Sequence, residues 1–409
     1  MVIAARALGP TDYGILILVH GYTITVGGIV TFPGWHAVVR YGALARAQED
    51  VPRLLRLLRF AALIEMGAGI LAILTAAALA PVLGPRLGWS ADAQAFAIPY
   101  SLAVLASVRA TPAGFLQLFR RFDLLGAHNI VAPAVRLVGA ALAATLGLGL
   151  RGFLVAWLAA ALAEWLSLWV IGIFVARRVL NGRLAGGVAG ARIENPGIWR
   201  FMLAANADIT FGELAGRIAP LAVGWVLGPL AAGLYAVAQR ATVIIAQPAQ
   251  ILGQAAYAEL ARLVVDHGSA VAVRGALLRC ISVALLSALP VLAAIALFAR
   301  PLATLLGGPA FAGAAVVMVW LTLARAVLLV APPCSAALTA MGRPGLSAGA
   351  NILGSLVLLP LLPVLMLAMG LVGAGVHAVV QAAVASAVLV FLVWRTSAPS
   401  SAVAAPDAA

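Results

Sequence analysis

The chain has 409 residues, of which 64% are hydrophobic and only 10% charged, and its mean hydropathy is +1.10. This composition excludes a soluble globular surface and places the chain in a lipid bilayer. The formal net charge of +13 comes from 26 arginines and no lysine against 13 acidic residues. No basic stripe with interleaved aromatic residues accompanies that charge, so it does not indicate nucleic-acid binding.

Continuous apolar stretches of about twenty residues recur along nearly the whole chain, and each is long enough to cross a hydrocarbon core as a helix. Because these stretches are continuous rather than alternating, they exclude a transmembrane β-barrel. They predict an all-α polytopic membrane protein with eleven transmembrane helices. In chain order the predicted helices span 15–38, 60–82, 93–117, 129–149, 152–175, 200–226, 233–254, 276–298, 312–331, 346–368 and 372–394.

The arginines in the loops between these helices are distributed unevenly. Seventeen fall on one side of the membrane and four on the other, which makes the richer side cytoplasmic. The poorer side receives Arg6, Arg86, Arg151 and Arg300. The predicted cytoplasmic segments are 40–59, 118–128, 176–199 and 255–275.

A repeated motif relates the two halves of the chain. LGPTDYG at Leu8–Gly14 returns as LGPLAAG at Leu227–Gly233, and each copy opens a long apolar helix. Those helices end at related motifs, Tyr41 to Arg46 and Tyr257 to Arg262. The offset between the copies is 219 residues at the first glycine and 216 residues at the final arginine. A spacing shared by two motifs predicts two similar lobes around a substrate path.

An odd number of helices fits two similar lobes poorly. The second LGP motif follows a full span, 200–226, whereas the first follows only residues 1–7. We therefore expect a twelve-span design of two parallel six-helix lobes, whose first helix is missing from this chain. The expected domains are an N-terminal lobe at 1–178, a cytoplasmic linker at 179–199, a C-terminal lobe at 200–396 and a disordered tail at 397–409.

The helix at 200–226 carries a polar stripe. Asn206, Thr210, Glu213 and Arg217 recur at spacings of 4, 3 and 4, which places them on one helical face. A polar face at membrane depth must face protein or water. Glu213 and Arg217 can pair with each other, so a purely structural role is an open alternative.

The neighbouring helices continue this pattern. Arg240, Gln247, Gln250 and Gln254 share a broad face of the next helix, although glutamines can also simply join helices. The matching helix of the first lobe carries a milder polar face with His20, Thr23, Gly27 and Thr31. Together these residues predict a wet, net cationic cavity. Because guanidinium groups bind phosphate bidentately, such a cavity suits a phosphate or pyrophosphate head group.

The remaining intramembrane charges have structural explanations. Arg109, Arg136 and Arg325 lie close enough to cytoplasmic helix ends to snorkel, and Glu65 is expected at the interface. Glu164, near mid-helix, is expected to pair with Arg109 or Arg136 and so hold one lobe together. No catalytic arrangement, metal-ligand spacing, P-loop or cofactor motif is present, so we expect a transporter rather than an enzyme.

Three segments carry a resemblance to a known family: Ala5–Gly14, Leu227–Tyr235 and Ala256–Arg262. With them the chain resembles a polysaccharide transporter of the O-antigen flippase group, within the multidrug/oligosaccharidyl-lipid/polysaccharide exporter (MOP) superfamily. The resemblance implies a V-shaped pair of six-helix bundles in the bacterial inner membrane. It also implies flipping of undecaprenyl-pyrophosphate-linked oligosaccharide to the outer leaflet, with cavity arginines meeting the pyrophosphate. Further implied partners are the glycan polymerase and glycosyltransferases of the same pathway.

Two other functions remain open. A small-molecule or drug cation antiporter of the same superfamily should carry an acidic cavity in its first lobe. The helix that follows the first LGP motif has no carboxylate beyond Asp12. A membrane-embedded glycan polymerase or ligase should carry a large outward loop, and no predicted outer loop is long.

Overall fold

A computed structural model describes residues 1–31, 34–180, 186–242, 270–341 and 343–396 of the chain. All regular secondary structure in these ranges is helical. The helices are α1 (Val2–Val30), α2 (Trp35–Ala47), α3 (Val51–Arg86), α4 (Ala91–Tyr100), α5 (Ala110–Leu118), α6 (Phe122–His128), α7 (Val131–Thr145), α8 (Gly149–Val179), α9 (Ala191–Glu194), α10 (Ile198–Ala241), α11 (Ala270–Gly307), α12 (Ala314–Leu328), α13 (Ala331–Ala340), α14 (Pro344–Val357), α15 (Leu361–Met369) and α16 (Leu371–Thr396).

Within the described ranges, nine helical stretches are long and apolar enough to cross a membrane. Large apolar side chains are exposed along them, for example Leu63 and Ile70 of α3, each 60% exposed. Apolar side chains left exposed on long helices are suited to contact with lipid. The prediction of an all-α polytopic membrane protein is confirmed.

Several predicted boundaries were wrong. The helix expected at 15–38 begins at Val2 and ends at Val30. The span expected at 93–117 is interrupted by a 3₁₀ helix, Ser101–Ser107, which begins two residues after Pro99. The span expected at 346–368 is divided into α14 and α15 near Pro360. Proline lacks an amide hydrogen and clashes with the preceding turn, which accounts for breaks that apolar content alone does not reveal.

Both LGP motifs bend a helix in the same way. Gly9 in α1 has φ 71° and ψ 176°, and Gly228 in α10 has φ 84° and ψ 176°. Only glycine adopts this region readily, and the following Pro10 and Pro229 each open the next helical segment, where no amide hydrogen is required. The helices predicted at 200–226 and 233–254 are therefore one element, α10, bent at Gly228; residues 243–254 lie outside the described ranges.

The two LGP segments also pack against each other. A Cβ atom added at Gly14 would overlap the carbonyl oxygen of Pro229, and one added at Gly233 would overlap that of Pro10. The contact is reciprocal, as expected for two copies of one motif. A glycine on each helix lets the two backbones approach this closely.

The chain divides into two compact units, residues 1–233 and 234–409. In the first unit α1 packs on α3 and α8, and α8 also packs on α5 and α7. The largest buried side chains of this unit include Tyr13, Tyr100 and Trp157. The predicted lobe boundaries at 178 and 200 stay a prediction.

In the unit 234–409, α16 is the central helix and packs on α12, α13, α14 and α15. Its buried Leu389 and Val393 join an apolar cluster with Leu277, Cys334 and Leu338. The small residues Gly375 and Ala385 let neighbouring helices approach α16 closely. This unit is consequently held together mainly by apolar packing around one helix.

The segment predicted as a linker contains the short helix α9 and is held to the first unit by polar contacts. Arg56 forms an ion pair with Glu194 at 2.6 Å. The hydroxyl of Tyr41 donates to the carbonyl oxygen of Pro196 at 3.2 Å. Residues 181–185 and 397–409 lie outside the described ranges.

Candidate functional site

The unit 1–233 contains a polar cavity of about 330 Å³. Five parts of the unit contribute to its wall: α1, the 3₁₀ helix with the start of α5, α7, α8 and α10. The lining residues are His20, Ile24, Gly28, Thr31, Ala106, Ser107, Arg109, Arg136, Ala161, Glu164 and Arg217. Three arginines and one carboxylate thus face a single space.

Arg217 reaches the cavity from α10 and is anchored on α1. Its Nη1 donates to the carbonyl oxygen of Ile24 at 3.1 Å. Its guanidinium occupies the space that a Cβ atom at Gly28 would take. Glycine at position 28 is therefore what allows the guanidinium to lie directly on the α1 backbone.

Two further members of the α10 stripe lie on the same side as Arg217. The hydroxyl of Thr210 donates to the carbonyl oxygen of Gly28 at 3.4 Å, and also to Asn206 Oδ1 at 3.3 Å. The predicted stripe at least in part faces α1. The side chain of Glu213 is outside what the structure describes, so its pairing with Arg217 stays a prediction.

Arg109 is held by a network from two other helices. Its Nη1 pairs with Glu164 Oε1 at 2.5 Å and lies 3.0 Å from His128 Nε2. His128 Nδ1 lies 2.9 Å from Ser167 Oγ, and Ser167 in turn donates to the carbonyl oxygen of Glu164. Because Arg109 can only donate, His128 accepts at Nε2 and carries its proton at Nδ1. The expected pairing of Glu164 with Arg109 is confirmed.

Arg136 approaches the cavity from α7. Its Cζ lies 5.4 Å from the centroid of the Trp157 ring on α8, a cation–π distance. Trp157 is fully buried, so the ring offers a rigid platform for the guanidinium. Snorkelling would direct the Arg109 and Arg136 side chains to the membrane surface. In the structure both side chains line the polar cavity.

The cavity wall on α1 includes two predicted residues. His20 Nδ1 lies 2.9 Å from the hydroxyl of the buried Tyr100. Thr31 donates from its hydroxyl to the carbonyl oxygen of Gly27. Thr23 is buried and donates to the carbonyl oxygen of Val19, and it is not among the lining residues.

The other predicted site residues are not brought to this cavity by the described structure. Arg240 belongs to the unit 234–409, in which its side chain is exposed. Gln247, Gln250 and Gln254 lie outside the described residues. Their role in substrate binding stays a prediction.

Glu65, expected at the membrane interface, is buried inside the unit 1–233. The residue is only 1% exposed. Its carboxylate accepts hydrogen bonds from the backbone amides of Ala110 and Thr111, at 2.8 Å for Thr111. A carboxylate at this position satisfies amides at the start of α5 that have no partner within the helix. Glu65 thereby fixes the helix start beside Arg109.

The backbone is similar to solved transporters of the MOP superfamily. A multidrug-resistance MATE-family transporter of that superfamily, in its inward-facing conformation, matches with a TM-score of 0.73 and 17% identity, covering 98% of this chain and 94% of that chain. A MOP-superfamily transporter from Pyrococcus furiosus, whose binding pocket is described as having reverse polarity that suggests a different function, matches with a TM-score of 0.57 and 18% identity. That match covers 97% of this chain and 88% of the other. The fold is therefore that of the MOP-superfamily transporters.

Sequence comparison gives the family. The inner membrane protein YghQ of Escherichia coli (strain K12) is 26% identical over 264 residues, which are 64% of this chain and 74% of that protein. The profile of a family described as polysaccharide biosynthesis protein matches residues 3–316. The chain belongs to this polysaccharide biosynthesis protein family and is a multi-pass inner-membrane protein. The family resemblance of the LGP motifs is confirmed.

Proposed function

We propose that the chain is a flippase for undecaprenyl-pyrophosphate-linked oligosaccharide, an O-antigen or exopolysaccharide repeat unit. It would carry this substrate across the inner membrane by alternating access, with its cavity arginines holding the pyrophosphate. The observation that supports the proposal is the convergence of Arg109, Arg136 and Arg217 on one cavity. Membership in a polysaccharide biosynthesis family favours a lipid-linked glycan over other anionic substrates.

The chemistry of the cavity suits a pyrophosphate. Among the lining residues that the structure describes, Glu164 is the one carboxylate, so the three guanidinium groups give this set a net positive charge. A guanidinium has five N–H donors, so each can keep its protein partner and also donate to phosphate oxygens. Charge-assisted hydrogen bonds of this kind contribute about 1.5–3 kcal/mol each.

The protein partners hold the three guanidinium groups in place before a substrate arrives. Arg217 is bound to the Ile24 carbonyl, Arg136 lies over Trp157, and Arg109 is held by Glu164 and His128. Groups that are already ordered lose less side-chain entropy on binding. The site is thus prepared for an anion with several oxygens.

The charge argues against the alternative of a cation antiporter. A cationic drug would meet three arginines, and Glu164, the lining carboxylate within the described part of the chain, is already paired with Arg109. The Pyrococcus furiosus transporter offers a parallel, because reversed pocket polarity is described as suggesting a different function there. Fold alone does not determine what such a cavity binds.

Complementation of a flippase-deficient strain tests the proposal. Arg136→Gln and Arg217→Gln should lower glycan export about tenfold or more at equal protein level, since each removes charge-assisted hydrogen bonds. Arg→Lys should restore export only in part, because an ammonium lacks the planar fork. Arg151→Gln is the matched control, since Arg151 is an exposed residue paired with Asp92 at 3.6 Å.

Two outcomes would count against the proposal. Wild-type export by both Arg136→Gln and Arg217→Gln would show that the cavity arginines do not bind the pyrophosphate. Restoration of level and export by the double change Glu213→Gln with Arg217→Gln, where Arg217→Gln alone fails, would instead assign Arg217 to a structural pair. Protein level in the membrane must be measured beside export in each case.

A further inference from the structure

A second space lies between α3, α5 and α8 on the unit 1–233. It is a groove of about 360 Å³ with a mainly apolar wall. Two arginines are its charged lining residues. The groove is lined by Leu55, Leu58, Arg59, Ala62, Thr111, Pro112, Phe115, Trp169, Gly172, Ile173, Ala176 and Arg177.

The groove adjoins surface that is suited to lipid. Leu63 on α3, and Ile173 and Phe174 on α8, are 60%, 41% and 53% exposed. Large apolar side chains exposed on membrane-crossing helices contact acyl chains. The groove therefore opens sideways to the hydrocarbon region.

One end of the groove carries the two arginines, and Trp169 lines the other end. Along α8 the lining extends from Arg177 to Trp169, eight residues or about 12 Å. The Trp169 indole is fixed because its Nε1 donates to the carbonyl oxygen of Val108 at 2.8 Å. Gly172 lets α8 approach Pro112 of α5 closely, which narrows the space behind the apolar wall.

The charged end combines two cations, and the lining residues that the structure describes include no carboxylate. Arg59 and Arg177 both fall in segments that the arginine distribution assigns to the cytoplasmic side. Nη1 of Arg59 donates to the carbonyl oxygen of Gly187 at 3.2 Å, which positions the guanidinium at the groove end. Basic pockets between helices on this side of a membrane bind anionic head groups.

We propose that this groove is a binding site for an anionic phospholipid. Its phosphate binds Arg59 and Arg177, and one acyl chain lies along the apolar wall toward Trp169. The site is distinct from the polar cavity, with which it shares no lining residue. A bound lipid braces the two helices that hold Arg109 and Glu164, and so supports the cavity from outside.

Native mass spectrometry of the purified full chain tests the site. With mixed micelles of phosphatidylglycerol, the wild-type protein should retain lipid, and it should retain much less phosphatidylcholine. Arg59→Gln and Arg177→Gln should each weaken retention about fivefold, and the double change should abolish it. Arg178→Gln is the matched control: Arg178 is the next residue of α8, stacks on Phe174 at 4.2 Å and does not line the groove.

A second variant tests the apolar wall without altering charge. Ala62→Phe fills the groove and should lower retention of phosphatidylglycerol while leaving binding of soluble glycerol phosphate unchanged. Equal losses in Arg178→Gln and Arg177→Gln would overturn the site, since the effect would then be general surface charge. Competition by glycerol phosphate as strong as that by the lipid would also overturn it. These measurements contain no glycan, so their failure is separate from failure of the flippase proposal.

Discussion

Two of the contacts between helices α1 and α10 within the unit 1–233 differ in kind. At the LGP end, Gly14 and Gly233 receive the carbonyl oxygens of Pro229 and Pro10, backbone against backbone. About four turns further along α1, Gly28 instead receives the guanidinium of Arg217. At Gly14 and Gly233 the two helix backbones are in direct contact, whereas at Gly28 a charged side chain lies between the helices.

The comparison shows that glycine serves opposite purposes along one helix. At Gly14 the absent Cβ lets rigid backbones touch, so the contact contributes to the fold. At Gly28 the absent Cβ makes room for the flexible end of a side chain, so the contact places a charge in the cavity. The same Gly→Ala change should therefore give different results at the two positions.

The largest effect is expected at the LGP contact. Gly14→Ala places a methyl group against the Pro229 carbonyl, which cannot move without shifting the bent part of α10. Overpacking of this kind costs about 3 kcal/mol. Membrane yield and the thermal midpoint of the purified protein should both fall. A Gly14→Ala protein of wild-type stability would break the comparison.

A smaller loss, confined to function, is expected at Gly28. Gly28→Ala displaces Nη1 of Arg217 from the Ile24 carbonyl, and the long side chain can adopt another rotamer. Stability should change by less than about 1 kcal/mol, since one hydrogen bond is exchanged for another. Glycan export at equal protein level should fall several-fold. If thermal stability drops as far as in Gly14→Ala, the distinction between the contacts is lost.

The smallest effect is expected at Gly216, in α10 one residue before Arg217. Among the described residues, nothing beyond its own helix turn lies within 4 Å of a Cβ added there. Gly216→Ala should stabilise the protein by about 0.5–1 kcal/mol, because alanine loses less backbone entropy in a helix. The measurement is the thermal unfolding midpoint of Gly216→Ala, taken in parallel with those of Gly14→Ala and the wild-type protein. Destabilisation by Gly216→Ala would show that an added methyl group lowers stability even where it overlaps nothing, so the loss in Gly14→Ala could not be assigned to the Pro229 carbonyl.

The sequence predicted the parts of this pair that depend on local pattern. The repeat marked both LGP motifs as the starts of helices, and the structure changes backbone direction at the glycine of each motif, where a proline follows. The 4, 3, 4 spacing placed Asn206, Thr210 and Arg217 on one face, and Thr210 and Arg217 do face α1. Periodicity within one helix was sufficient for these inferences.

The remaining cavity residues depend on how different helices turn toward each other. Arg109 and Arg136 lie near helix ends in the sequence, and depth alone does not tell a snorkelling arginine from one facing inward. Glu65 is buried because the chain breaks before α5, and its carboxylate accepts hydrogen bonds from the first backbone amides of that helix. A signal was available in part: Pro99 and Pro112 in one apolar span indicate a broken helix with unsatisfied backbone groups.

The central claim is that the guanidinium groups of the cavity bind the pyrophosphate of a lipid-linked glycan. The most direct measurement is the rate at which purified protein in proteoliposomes moves undecaprenyl-pyrophosphate-linked oligosaccharide between leaflets. The rate should be about tenfold or more lower for Arg217→Gln, intermediate for Arg217→Lys and unchanged for Arg151→Gln. A wild-type rate for Arg217→Gln and Arg136→Gln would contradict the central claim.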